Sequence, residues 1–195
     1  IDEVRFVGEA VAAVLAAARE QAIDAIEQVT VEYEELPAVV TIEQAAAKNA
    51  PQLWADAPEN VAAQTEFGDK AATDAGFAKA KHVSKISFYN QRLVPVSMEP
   101  RGSIGDYDAA ADRMILITSC QNPAGLQATL ADAIFKVAKD KVRVKVGDVG
   151  GGFGMKTMLY PEDAVCVYAA CKLKRPVHWR ATRSEEFLTG THGRD

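Results

Sequence analysis

Val142-Arg143-Val144-Lys145-Val146-Gly147-Asp148-Val149-Gly150-Gly151-Gly152-Phe153-Gly154-Met155-Lys156 is the stretch that decides how this chain is read. Its first five residues alternate β-branched apolar side chains with basic ones, the pattern of a strand with one covered face. The strand runs into four glycines within five positions, Gly150, Gly151, Gly152 and Gly154. Backbone without Cβ atoms lets its N–H groups approach a bulky anionic ligand closely. A strand passing through such a turn into a helix is a common phosphate or cofactor cradle. The spacing fits neither standard nucleotide template. In G-x-G-x-x-G the third glycine would fall at Met155, and in a P-loop the lysine follows its glycine directly, whereas Met155 separates Gly154 from Lys156. A tight glycine-rich turn that holds no ligand stays open beside the cradle reading.

Downstream, Pro161 to Leu173 reads as a helix, with proline in its first turn and Glu162 and Asp163 suited to the helix dipole. Pro176 to Arg180 reads as a last strand. Upstream, His82 to Asn90, Gly102 to Tyr107 and Met114 to Ser119 read as strands, the last nearly all apolar as in a covered sheet. A helix from Gly125 to Ala138 carries the stripe Leu126, Leu130, Ile134 and Val137. Strand, helix, strand, glycine loop, helix and strand in that order imply a mixed α/β layer arrangement. Further back, Val4 to Leu15, a helix over Arg19 to Gln28 and the alternating Val29-Thr30-Val31-Glu32-Tyr33-Glu34 suggest a β-α-β unit. Residues 41 to 80 turn Ala-rich and polar, with Pro51 and Pro58 as breakers and short helices expected at Ile42 to Lys48 and Thr73 to Lys81.

Composition narrows the class. A chain of 195 residues with 48% apolar and 25% charged residues is ordinary for a globular protein. A net charge of -5 and a pI near 5.3 argue against a nucleic-acid partner, which needs a basic face. Three cysteines make no disulfide framework, which points to a reducing, cytoplasmic setting. No apolar run approaches the roughly 20 residues that span a bilayer. The chain opens at Ile1 and stops at Asp195 without a terminating motif, so it reads as an internal segment of a longer protein.

Gln121 lies between the apolar strand and the following helix, where α/β folds collect ligands, although capping of local backbone is the simpler reading of its position. Met98-Glu99-Pro100-Arg101 reads as a surface turn, with a buried Glu99 facing a cofactor as the sharper alternative. Lys156 is either an anion contact or a solvated charge. Cys166 and Cys171, five apart, do not share a helical face, and Cys120 reads as a small buried apolar residue. His82, His178 and His192 are isolated from one another, so no zinc pattern is present.

Together these residues resemble a known family. The stretch from Val142 to Lys156, followed by Tyr160-Pro161-Glu162-Asp163 and Lys174-Arg175-Pro176-Val177 with Arg183, is similar to the large subunits of molybdenum hydroxylases. These include aerobic carbon monoxide dehydrogenase, xanthine dehydrogenase and aldehyde oxidase. Ser119-Cys120-Gln121-Asn122 resembles the family's Ser-Thr-Gln motif. Val7-Gly8-Glu9-Ala10-Val11-Ala12-Ala13-Val14, Ala22-Ile23-Asp24-Ala25 and Val31-Glu32-Tyr33-Glu34-Glu35-Leu36-Pro37-Ala38-Val39 look like the second half of its hammerhead domain.

The resemblance implies an α+β (mixed α/β) chain. Residues 1–45 would be the C-terminal half of the hammerhead domain, 46–80 a linker and 81–195 the first part of the molybdopterin-binding domain. It implies a molybdenum–molybdopterin cofactor, in the cytosine dinucleotide form, that hydroxylates a carbon centre of a small-molecule substrate with oxygen from water. Electrons would pass to an iron–sulfur subunit and an FAD subunit. Gln121 would bond an oxo ligand of the metal, without ligating the metal itself, and Gly151, Gly152, Phe153 and Gly154 would line the pterin. Thr157 stands where purine-hydroxylating members carry Glu, which disfavours xanthine, and Tyr160-Pro161 is nearer the carbon monoxide dehydrogenase-like branch. The general-base Glu and any copper-ligating Cys loop are expected beyond Asp195, so these residues alone are expected to bind no molybdenum and turn nothing over. The competing reading, from a different class, is a non-catalytic α/β module that holds another anionic ligand in the glycine loop.

Overall fold

The computed structural model describes residues 3–90 and 93–191, in two compact units. The first comprises residues up to Arg5 together with Ala12–Phe88. Among its described residues are three helices, α1 (Arg19–Ile26), α2 (Ile42–Ala45) and α3 (Lys70–Lys79), and a 3₁₀ turn at Pro58–Asn60. Two of these helices start on side-chain caps. Thr41 accepts the Gln44 N–H, and Asp69 accepts the Ala72 N–H. Asn60 then ties the loops, accepting the Leu53 N–H while donating to the carbonyls of Ala45 and Pro51.

The β-α-β unit expected from the sequence is not formed there. Helix α1 lies where the periodicity put it, but among the described residues Val4–Leu15, Val29–Glu34 and His82–Asn90 build no ladder. Alternation supplies a strand with an apolar face. A strand also needs a neighbour that takes its N–H and C=O groups in register, and among the described residues these segments form no such ladder.

The second unit, Phe6–Val11 with Tyr89 onward, holds the sheet. Its strands are β1 (Gly102–Asp108), β2 (Arg113–Thr118), β3 (Val142–Lys145) and β4 (Val177–Arg180), in the order β3-β2-β1-β4. β1 pairs antiparallel with β2 and with β4, whereas β2 and β3 run parallel. A parallel pair needs a crossover, and α4 (Pro123–Ala128) supplies it, widening into a π-helical stretch over Thr129–Phe135. Asn122 caps α4 by accepting the Gly125 N–H at 3.0 Å. The helix expected to reach Ala138 ends at Phe135, because Lys136 turns left-handed at φ 52°.

Leu116 from β2, Leu126, Leu130 and Ala131 from the crossover, Val142 from β3 and Val167 from α5 (Pro161–Leu173) form the core. α5 keeps the bounds expected from its proline start. It packs against β1 at Gly105, where a Cβ would sit 2.1 Å from the Cys166 carbonyl oxygen. Asp163, in the first turn as the helix dipole favours, is buried between the Ser103 hydroxyl and the Tyr160 N–H. A sixth helix, α6 (Arg183–Thr189), was not foreseen. Its signal was present in the sequence: Thr182-Arg183-Ser184-Glu185 is a capping box, with Thr182 Oγ1 accepting the Glu185 N–H and Glu185 accepting the Thr182 N–H.

Candidate functional site

The glycine loop leaves β3 and folds back onto the end of β2. Gly151 and Gly154 have φ of 100° and 91°, conformations that side chains rarely tolerate, and Phe153 adopts φ 51° with its ring 70% exposed. The loop wraps Gln121. Gln121 Oε1 accepts the Gly154 N–H at 2.9 Å, and the Gln121 N–H donates to the Lys156 carbonyl at 2.9 Å. A Cβ on Gly152 would stand 2.5 Å from Gln121 Oε1, so glycine there is what lets the amide seat against the loop. Gln121, Gly151, Gly152, Phe153 and Gly154, picked out along the sequence, therefore meet at one place. Among the described residues, the N–H groups of Gly151, Gly152 and Phe153 have no hydrogen-bond acceptor. With Oε1 engaged by a main-chain donor, the two Nε2 protons of Gln121 lie on the opposite side of its amide.

Met98-Glu99-Pro100-Arg101 bends at the surface with Met98 exposed and Glu99 partly exposed, but Arg101 is buried, and Lys156 is neither a solvated charge nor a free anion contact. The Lys156 side chain is 1% exposed, and its Nζ lies 2.8 Å from Glu99 Oε2. Its other bonds go to the Glu99 carbonyl at 2.9 Å and Ser119 Oγ at 3.1 Å. Glu99 Oε2 also accepts the Ser119 hydroxyl and the Gly150 N–H at 2.8 Å. Burial works to raise the Glu99 carboxyl's pKa. The bonds from Lys156, Ser119 and the Gly150 N–H, with the Lys156 charge, outweigh it and hold the pKa below the ordinary carboxylate value.

The same segment is pinned from its other side by α6. Buried Glu186 accepts the Arg101 N–H at 2.9 Å, while Arg183 pairs with Glu186 and donates to the carbonyls of Ser97 and Met98. The Arg101 guanidinium lies 3.7 Å over the Tyr160 ring and 5.4 Å from that of Trp179. Apart from the Arg183–Glu186 pair, three residues apart within α6, these ties join residues distant in sequence, so no local signal pointed to them.

The cysteines are thiols. Burial pushes Cys120 and Cys171 upward and Cys166 up to about 12, with the Asp163 and Glu162 charges adding to the Cys166 shift. His82 lies in the first unit and His178 on β4 in the second, and His192 lies outside the described residues. Among the described residues no helix is long and apolar enough to cross a membrane.

The chain is 34% identical, over its whole length, to the nicotine 6-hydroxylase large subunit of Paenarthrobacter nicotinovorans, covering 23% of that protein. It is 33% identical, again over its whole length, to the carbon monoxide dehydrogenase large chain of Hydrogenophaga pseudoflava, covering 26% of it. The chain thus spans about a quarter of the length of the curated relatives it matches. Among solved structures, reconstituted carbon monoxide dehydrogenase from Oligotropha carboxidovorans superimposes with a TM-score of 0.77 at 33% identity. That match covers 86% of this chain and 22% of the other. Residues 53–195, which include the whole glycine loop and Gln121, match the molybdopterin cofactor-binding domain, and the chain belongs to that family.

Proposed function

We propose that this chain contributes the glycine-loop side of the molybdenum–pterin site in the catalytic subunit of an oxidoreductase that hydroxylates or oxidises a carbon centre. One observation carries the reading: the loop offers three consecutive main-chain N–H donors beside the Gln121 amide. A planar, oxygen-rich cofactor with a metal-oxo head needs that combination of close backbone approach and one oriented amide donor. When bound, the cofactor supplies the redox chemistry and the oxygen transfer. The chain's own residues do simpler work. Gly151, Gly152 and Phe153 present donors to the cofactor, Gly154 keeps Oε1 of Gln121 occupied, and Gln121 presents Nε2 to an oxo ligand.

The cytosine dinucleotide form of the cofactor, iron–sulfur and FAD partner subunits and a cytoplasmic location are part of the same proposal. Partner subunits are supported by a relative named as part of a larger assembly, the gamma subunit of the 6-hydroxypseudooxynicotine dehydrogenase complex. The carbon monoxide dehydrogenase-like branch is favoured by the match to that enzyme's large chain. The division into a hammerhead part, linker and cofactor domain at about residues 45 and 80 is part of the same proposal.

Molybdenum and pterin analysis of the purified full-length subunit tests the reading. About one of each per polypeptide is expected. A subunit that folds and carries neither would leave the alternative, a module binding some other anion.

A further inference from the structure

Glycines permit the loop's conformation without enforcing it, because a glycine-rich segment loses more freedom on ordering than any other. Three residues between Gly150 and Lys156 sit at positive φ. Something outside the loop has to hold them there. Both ends of the loop are fastened to one residue, Glu99. At the leading end Glu99 and Gly150 exchange two bonds: the Gly150 N–H donates to Oε2 at 2.8 Å, and the Glu99 N–H donates to the Gly150 carbonyl at 3.1 Å. Contact is close enough that a Cβ on Gly150 would lie 2.5 Å from that of Glu99. At the trailing end the Lys156 ammonium spends its three protons on the Glu99 carbonyl, Glu99 Oε2 and Ser119 Oγ. Ser119 stands two residues before Gln121, whose own N–H is held by the Lys156 carbonyl. Loop and amide are therefore set by the same pair.

A lysine with all three protons committed and a side chain 1% exposed has nothing left for a ligand. We propose that Glu99 is a positioning residue: through the Gly150 N–H and the Lys156 ammonium it clamps both ends of the glycine loop against Gln121, and cofactor retention depends on this clamp although neither charge touches the cofactor. The inference rests on the cofactor reading given above.

The test uses the full-length subunit carrying Glu99→Gln, which keeps the shape and an acceptor oxygen but removes the charge. Amide hydrogen exchange followed by mass spectrometry is read on the peptide spanning 148–158 and on peptides from β2 and α5, and molybdenum and pterin are assayed on the same folded material. The clamp predicts exchange at least fivefold faster in the loop peptide alone, with molybdenum and pterin per folded subunit down at least fivefold. If Glu99→Gln does not accumulate folded, Glu99→Gln with Lys156→Met is read in its place, since it removes the buried ammonium left without its carboxylate. Unchanged loop exchange, faster exchange spread evenly over the unit, or a loosened loop that keeps its full cofactor would each overturn the clamp. A wild-type subunit without molybdenum or pterin would overturn the cofactor reading instead, while the exchange data still decide whether Glu99 holds the loop.

Discussion

Gly152→Ala is the sharpest probe of how the loop and Gln121 fit together. Gly152 is buried, and the added Cβ would lie 2.5 Å from Oε1, 2.6 Å from Cδ and 2.9 Å from Cγ of Gln121. All three atoms belong to one flexible side chain, so relief comes from rotating Gln121 off the loop. That rotation breaks the 2.9 Å bond from the Gly154 N–H. Losing one such bond costs about 1 kcal/mol, equivalent to a roughly fivefold rise in local opening. Were Gln121 unable to turn, overpacking would cost about 1–3 kcal/mol instead. Hydrogen exchange of the peptide spanning 150–157 in the full-length subunit separates these outcomes when Gly152→Ala, Gln121→Ala and the double variant are compared. Gln121→Ala removes the same bond and also clears the space, so adding Gly152→Ala to it should cost almost nothing. The two changes should be non-additive by about 1 kcal/mol. Strictly additive effects would refute the reasoning, as would a structure of Gly152→Ala in which Oε1 still accepts the Gly154 N–H.

Three further outcomes follow from the packing. Gly105→Ala places a Cβ 2.1 Å from the Cys166 carbonyl oxygen and 2.5 Å from the Val167 nitrogen, main-chain atoms that cannot swing aside; a loss of about 3 kcal/mol or more is expected, read as a lowered Tm or insoluble protein. Asp163 has its pKa raised chiefly by burial, against lowering bonds from Ser103 and the Tyr160 N–H. The folded state then binds its proton more tightly than the unfolded one, so this group's contribution is fully present below the unfolded value of 3.8 and is lost as pH rises through the folded pKa. Asp163→Asn, which can still accept from the Tyr160 N–H and donate to Ser103, should flatten that loss in melts taken between acid and neutral pH. Thr182→Ala removes the acceptor of the Glu185 N–H at the start of α6 and should cost about 1 kcal/mol, detectable as faster exchange in the α6 peptide before any other in the unit.

Much of the second unit was legible residue by residue. The alternation in Val142–Val146, the apolar run before Gln121 and the proline at the head of α5 are local signals, and the elements they announce are set by local sterics and one covered face. The junction of Gln121 with the glycine loop was also within reach, because two parallel strands joined by one crossover put their ends on the same rim. The first unit was harder. Val29–Glu34 alternates as cleanly as β3, yet it forms no ladder among the described residues, since pairing depends on a partner that alternation does not name.

By itself the sequence determined the path from strand through glycines to helix, because glycine at 151 and 154 lets the backbone reach φ of 100° and 91°, which side chains rarely tolerate. Tertiary structure alone decided what the charges nearby are for. Glu99 and Lys156 lie 57 residues apart and each looks solvated in its own neighbourhood. Whether a charge can be buried depends on what arrives from elsewhere in the chain to satisfy it, and for Lys156 the satisfying groups are the Glu99 carboxylate and carbonyl and Ser119.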